Sequence, residues 1–130
     1  MATKERTIPS PITSPETEPF WQAAREGRFL VKGCDDCGRA HWYPRAVCPH
    51  CFSSNTQWKP ASGRGVVYSF SPMRRADPPY TLAYVTLDEG PTMLTNIVDC
   101  DPDTLSIGQP VTLVLTPSED GQPVPTFTPA

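Results

Sequence analysis

Cys34-Asp35-Asp36-Cys37-Gly38 and Cys48-Pro49-His50-Cys51 decide the fold, with ten residues separating Cys37 from Cys48. Two cysteines three positions apart bend around one ion, because the tight turn between them aims both sulfurs inward and offers backbone N–H groups to them. Two such turns close a tetrahedron with metal–sulfur distances of ~2.3 Å, and zinc suits four thiolates because it has no d-electron geometry and no redox chemistry. The spacing therefore predicts one structural zinc ion held by Cys34, Cys37, Cys48 and Cys51. Four sulfurs fill the coordination sphere, so a catalytic water has no place and the binding energy becomes folding energy. Competing chemistries fit less well. Two disulfides need an oxidising compartment. Iron in a rubredoxin-like site is chemically allowed, but no other feature of the chain speaks for electron transfer. A thioredoxin-type redox pair wants a helix N-terminus after a strand, which two matched pairs fit poorly. His41 and His50 are available as substitute ligands and are expected to be exposed loop residues.

Outward from the two knuckles the sequence reads as short strands: residues 28–32 lead in, residues 41–44 return and residues 56–59 leave. Knuckle, strand, knuckle, strand is the layout of a zinc ribbon. Upstream, Thr17 is placed to cap a short helix over residues 18–26, with Pro19 tolerated in its first turn and Gly27 as its stop. Phe20, Trp21 and Ala24 share one side of that helix; they staple it to the rest of the fold or, on a sharper reading, face a partner. Residues 1–17, polar and holding Pro9, Pro11 and Pro15, are expected to be a flexible arm.

Downstream the character changes at Gly63-Arg64-Gly65. Val66, Tyr68 and Phe70 alternate onto one face of a strand. A loop over residues 71–79 holds Arg74 and Arg75. The next strand, residues 80–87, sets Leu82 and Tyr84 opposite Ala83, Val85 and Leu87, and Asp88-Glu89-Gly90 turns it into a return over residues 92–98. Residues 101–108 read as a turn or one helical turn, and residues 110–115 and 124–127 as two further strands. Five short antiparallel strands in about 65 residues suit a small closed barrel, and the OB-fold is the common five-stranded one. The expected architecture is mainly β: a flexible arm at 1–17, a helix and zinc ribbon at 18–60, and an OB-fold domain at 61–130.

Bulk properties narrow the function classes. The chain has 130 residues with 11 basic and 14 acidic side chains, a formal charge of −3 and a sequence pI near 5.2. That is not the basic footprint of a dedicated nucleic-acid binder, although OB-folds and zinc ribbons both bind nucleic acids, so this stays as an alternative. No apolar run approaches the ~20 residues of a membrane helix, and residues 1–11 lack a secretory apolar stretch. A cytoplasmic protein is expected, and a reducing compartment favours metal over disulfides. With 38% hydrophobic residues the core is small, and small domains often lean on a metal. No nucleophile elbow, Walker loop or dinucleotide glycine motif is present.

Cys100 is expected to be a small buried filler. Asp99, Asp101 and Asp103 alternate like a calcium loop but lack its glycine and distal glutamate, so a turn with a local cap is expected. Asp35 and Asp36 are expected to be solvated. Arg64, Arg74 and Arg75, with Lys59 and Arg45, are candidates to hold a nucleotide phosphate by charge-assisted hydrogen bonds, with Arg74-Arg75 the strongest pair.

Taken in order, Phe20-Trp21, Gly27-Arg28-Phe29-Leu30, the two knuckles, Tyr43-Pro44-Arg45, Trp58, Ser62-Gly63-Arg64-Gly65-Val66-Val67-Tyr68, Val85-Thr86-Leu87-Asp88-Glu89-Gly90, Ile107-Gly108-Gln109-Pro110-Val111 and Phe127-Thr128-Pro129 resemble the DUF35 proteins. These are acyl-CoA-associated OB-fold proteins with a rubredoxin-like zinc ribbon, and the likeness covers residues 18–129. One departure is Phe52, where a glycine often follows the last cysteine. The resemblance implies a non-catalytic accessory subunit that binds acyl-CoA, a thiolase-like enzyme or a MaoC-like enoyl-CoA hydratase, with the partner supplying nucleophile and base. On that reading Phe20, Trp21, Trp42 and Tyr43 anchor the partner, and Arg64, Arg74 and Arg75 meet the phosphates of coenzyme A. Fold likeness alone does not establish ligand binding. An enzyme in its own right, a CoA hydrolase or aldolase half-site, is the remaining alternative.

Overall fold

The computed structural model describes residues 6–130, so residues 1–5 of the expected flexible arm lie outside the described residues. Helix α1 (Glu18–Arg25) is followed by a three-stranded antiparallel sheet of β1 (Leu30–Cys34), β2 (Ala40–His41) and β3 (Thr56–Pro60), in the order β2-β1-β3. Five strands then close a barrel: β4 (Arg64–Met73), β5 (Tyr80–Leu87), β6 (Thr92–Ile97), β7 (Pro110–Pro117) and β8 (Pro123–Pro129), ordered β4-β5-β6-β8-β7 with β7 returning to β4. This is the OB-fold.

Several local expectations are corrected. Thr17 sits at the N-cap of α1, but its side chain makes no cap bond. Its hydroxyl oxygen instead accepts from the Ser14 N–H at 3.0 Å, closing the turn that enters the helix. The strand expected at residues 41–44 is only two residues long, Ala40–His41; Pro44 has no N–H to continue the ladder, and Trp42 joins an aromatic cluster. Val66 and Tyr68 face outward, while Gly65 and Val67 face the core. The register slips between Val67 and Ser69, and this β-bulge re-aims the strand so that Phe70 packs on the core. Gly65 has a packing reason to be glycine: a Cβ there would lie 2.5 Å from the Thr86 carbonyl oxygen.

Five antiparallel strands are expected from the sequence, but the barrel is not wholly antiparallel. β6 and β8 run parallel and share one register pair, Ile97 with Phe127. The prolines of β8 explain why this seam is thin. Along a strand, the N–H and C=O of alternate residues point to the same side. The Phe127 carbonyl accepts from the Val98 N–H at 2.8 Å, so Phe127 faces β6. Pro123, Pro125 and Pro129 share its parity, and the donors they lack are those that would have faced β6. The Thr95 hydroxyl adds a bond to the Pro125 carbonyl at 3.0 Å.

One apolar core runs through both modules. Phe20 from α1 and Phe29 and Val31 from the ribbon join Val67, Val85, Met93, Val111 and Phe127 of the barrel. Aromatic rings form the joint. Phe20 lies edge-on to Trp42 at 5.4 Å, Phe29 meets Trp42 at 5.7 Å, and Phe29 stands edge-on to Phe127 at 6.4 Å. Residues 6–14 contain no helix or strand, yet they lie on the barrel. The Ile8 carbonyl accepts from the Glu119 N–H at 2.9 Å, and the Ser10 hydroxyl from the Asp120 N–H at 3.0 Å.

Candidate metal centre

The four knuckle cysteines converge. Their sulfurs all lie within 4.8 Å of one another, with Cys34 to Cys51 at 3.6 Å and Cys37 to Cys48 at 3.7 Å. A tetrahedron with metal–sulfur distances of ~2.3 Å has edges of about 3.8 Å, whereas a disulfide needs ~2.05 Å. All four are free thiols. Cys34 and Cys48 are buried, Cys37 and Cys51 exposed, so the cluster is anchored on its inner side and reaches the surface on its outer side.

The two knuckles are built alike. In the first, the Gly38 N–H donates to the Cys34 carbonyl at 2.9 Å; in the second, the Phe52 N–H donates to the Cys48 carbonyl at 2.9 Å. Both residues after the last cysteine are left-handed, Gly38 at φ 75° and Phe52 at φ 65°. Glycine adopts that conformation freely, whereas a residue with a Cβ is strained there by about 1 kcal/mol. The His50 N–H points at the Cys48 sulfur at 3.4 Å. Asp36 ties one knuckle to the other by accepting from the Ser53 hydroxyl and from the Asn55 amide at 3.3 Å. These bonds, to Ser53 first and then Asn55, hold its carboxyl below the usual range.

Electrostatics fit a divalent cation. Burial opposes ionisation of Cys48, but the backbone N–H groups of Cys51 and His50 and the neighbouring thiols outweigh it, bringing Cys48 down to about 7. For Cys51 the backbone at Ser53 favours ionisation, yet burial and the crowded thiols of Cys34, Cys37 and Cys48 win and push it up to about 12. One thiolate therefore forms easily and the last at great cost. A bound cation removes that mutual repulsion.

The histidines were expected to be exposed, and His50 is. His41 is not: it is 6% exposed, and neither ring nitrogen has a hydrogen-bond partner among the described residues. Burial lowers its pKa; the nearby Arg45 backbone opposes this without a bond of ordinary geometry, and His50, Lys32 and Arg45 add to the lowering. No sequence signal marked it, because a two-residue strand has no periodicity to read. Cys100 is half-buried against the core, its thiol raised by burial and then by Asp101 and Asp99. Asp101 caps a short 3-10 turn, Pro102–Thr104, by accepting from the Asp103 N–H at 2.9 Å, as the turn reading expects. Asp35 is exposed and pairs with Lys59 at 2.7 Å.

The three candidate phosphate-binding arginines are not brought together. Arg64 opens β4, 3.6 Å from Asp88. Arg74 and Arg75 follow the other end of that strand, a separation on the order of 30 Å for ten residues of extended chain. Arg74 pairs with Asp103 at 2.5 Å and borders an open cavity of about 880 Å³ with Arg6, Tyr80 and Cys100. A second open cavity, of about 680 Å³, lies where α1, the ribbon and the barrel meet, lined by Phe20, Trp21, Trp42, Tyr43, Met93 and Leu94.

Comparison with known proteins places this arrangement. Family models match in tandem: the ChsH2 rubredoxin-like zinc ribbon domain over residues 21–57, and the ChsH2 C-terminal OB-fold domain over residues 58–116. A DUF35 domain-containing scaffold protein of Methanothermobacter thermautotrophicus is 34% identical over 108 residues, covering 76% of this chain and 80% of that protein. The chain belongs to the DUF35 family. This DUF35 chain is also 32% identical, over 127 residues and 94% of its length, to a probable enoyl-CoA hydratase alpha subunit of Thermomonospora curvata, of which it spans 40%. The solved structure of an Ltp2-ChsH2(DUF35) aldolase superposes with a TM-score of 0.81 at 30% identity, over 92% of this chain and 98% of that one. The metal reading accords with the family description, which names a zinc ribbon. No described helix is long and apolar enough to cross a membrane.

Proposed function

We propose that this chain is a non-catalytic, zinc-stabilised subunit that docks on an acyl-CoA enzyme, a thiolase-like protein or a MaoC-like hydratase, and helps shape its acyl-CoA channel. The observation that carries this reading is the convergence of the four thiols of Cys34, Cys37, Cys48 and Cys51, beside relatives named as a probable enoyl-CoA hydratase alpha subunit and as an Ltp2-ChsH2(DUF35) aldolase. Four thiolates leave a metal no open position, so the ion orders a surface and the partner performs the chemistry. The aromatic cavity at Trp21, Trp42 and Tyr43 has the residue types that anchor interfaces or line apolar ligand sites. Arg74 at the rim of the larger cavity, with Arg75 next to it, is the proposed contact for coenzyme A phosphates; Arg64, at the far end of β4, then lies outside that contact. The cytoplasm is the proposed compartment.

Affinity purification of the tagged chain from its native cells, with mass spectrometry, tests the reading. An acyl-CoA enzyme recovered at near one-to-one stoichiometry is the expected result, with no thioester turnover by the isolated chain. Recovery of free monomer alone at native abundance would overturn it.

A further inference from the structure

The duplicated knuckles give an internal control. At the left-handed position after the first, the chain has Gly38; at the matching position after the second it has Phe52, at φ 65°. Phenylalanine is a poor residue for that conformation. Its ring is 79% exposed and takes part in none of the aromatic contacts among the described residues. The fold thus carries backbone strain and exposed apolar area at one residue, with little burial in return. Val47, 47% exposed, lies at the same end of the ribbon, because the Cys48 N–H donates to the Ser53 carbonyl at 2.8 Å and closes the knuckle.

Charge specifies what covers this tip. Residues 31–60 hold four basic side chains, Lys32, Arg39, Arg45 and Lys59, against Asp35 and Asp36. Both acids are engaged internally, Asp35 by Lys59 and Asp36 by Ser53 and Asn55. Arg45 makes no ion pair among the described residues, and its guanidinium lies over the Tyr43 ring at 5.6 Å. Residues 61–130, by contrast, hold three basic and eight acidic side chains. The ribbon therefore carries the basic excess of the two modules, and Arg45, three residues before Cys48, is its basic side chain beside the second knuckle in sequence.

Resting on the accessory-subunit reading, we infer that Phe52 is the anchor of the partner interface: its ring, with Val47, enters an apolar pocket of the acyl-CoA enzyme, and Arg45 meets carboxylates on the pocket rim. Aromatic and arginine side chains are the common hot spots of such interfaces. The strain is then a cost of presentation, met by the zinc cluster that fixes the turn.

The test uses the full zinc-loaded chain and the enzyme that copurifies with its tagged wild-type form, recombined by calorimetry. Phe52→Gly is expected to weaken binding by about 30-fold, a hot-spot loss, while its melting temperature is unchanged or rises by up to about 3 °C. Arg45→Glu is expected to weaken binding further at low salt than at high salt. If wild type binds and Phe52→Gly binds within tenfold of it, this inference is overturned and the accessory-subunit reading stands. If Phe52→Gly melts lower than wild type, the ring has a structural role and the inference likewise fails. If wild type captures no acyl-CoA enzyme, both fall together.

Discussion

Replacing Phe29 with alanine should uncouple the ribbon from the barrel. Phe29 is 5% exposed and lies between Phe20 and Trp42 on one side and Phe127 of β8 on the other, at 6.1, 5.7 and 6.4 Å. Truncating a buried phenylalanine costs about 3–5 kcal/mol in lost transfer energy and residual cavity. The edge-on pairs add about 1 kcal/mol beyond area. For a chain of this size that is a fall in melting temperature of about 10–20 °C. None of the four cysteines is altered, so zinc content at 25 °C should stay at one ion per chain. Differential scanning calorimetry should then resolve two transitions where the wild type shows one, because the barrel no longer shares its core with the metal-held sheet. A double-mutant cycle with Phe127→Ala should return a coupling of about 1 kcal/mol. A single transition within 3 °C of wild type would refute the claim that this ring is the joint.

Three further outcomes are expected. Zinc affinity, measured by chelator competition, should fall as pH falls from 8 to 6, because in the metal-free cluster Cys48 lies at about 7 and Cys51 at about 12, so protons compete with the metal across this range; a flat profile would contradict thiolate ligation. Gly65→Ala should cost about 1–3 kcal/mol in urea unfolding, since its Cβ meets the Thr86 carbonyl oxygen and Val85; a neutral result would mean β5 can move aside. The His41 pKa in the folded chain lies below its ordinary value, so the unfolded chain takes up the proton first. The stability tied to this neutral, buried ring is complete above about pH 6.5 and declines as pH falls towards the folded pKa. His41→Phe should flatten that part of the pH profile, and an unchanged slope would show that other groups set it.

The metal ligands were fully legible because their signal is chemical and local: two Cys-x-x-Cys turns tolerate few other readings. Barrel strands with clean alternation, such as Tyr80–Leu87, were legible for the same reason. The alternation in β4 puts Val66, Tyr68 and Phe70 on one face, but the bulge changes the face of the strand halfway along, and alternation cannot show an inserted residue. For β8 the sequence pattern predicts a strand only over residues 124–127, whereas it runs from Pro123 to Pro129, since prolines argue against a strand unless one knows which edge goes unpaired. His41, the Asp36 bridge between knuckles and the separation of Arg64 from Arg74 are long-range facts, visible only once the chain has folded back on itself.

The proline-edged seam between β6 and β8 has a mechanical consequence. A closed barrel holds its girth only as firmly as its weakest pair of staves, and here two adjoining segments share one register pair, Ile97 with Phe127, beside the Val98 and Thr95 bonds. Both cavities adjoin this line, one through Thr95 and Pro125 and the other through Ile97 and Val98. Deuterium uptake at Val98 should therefore outpace that along the β4–β5 pairing.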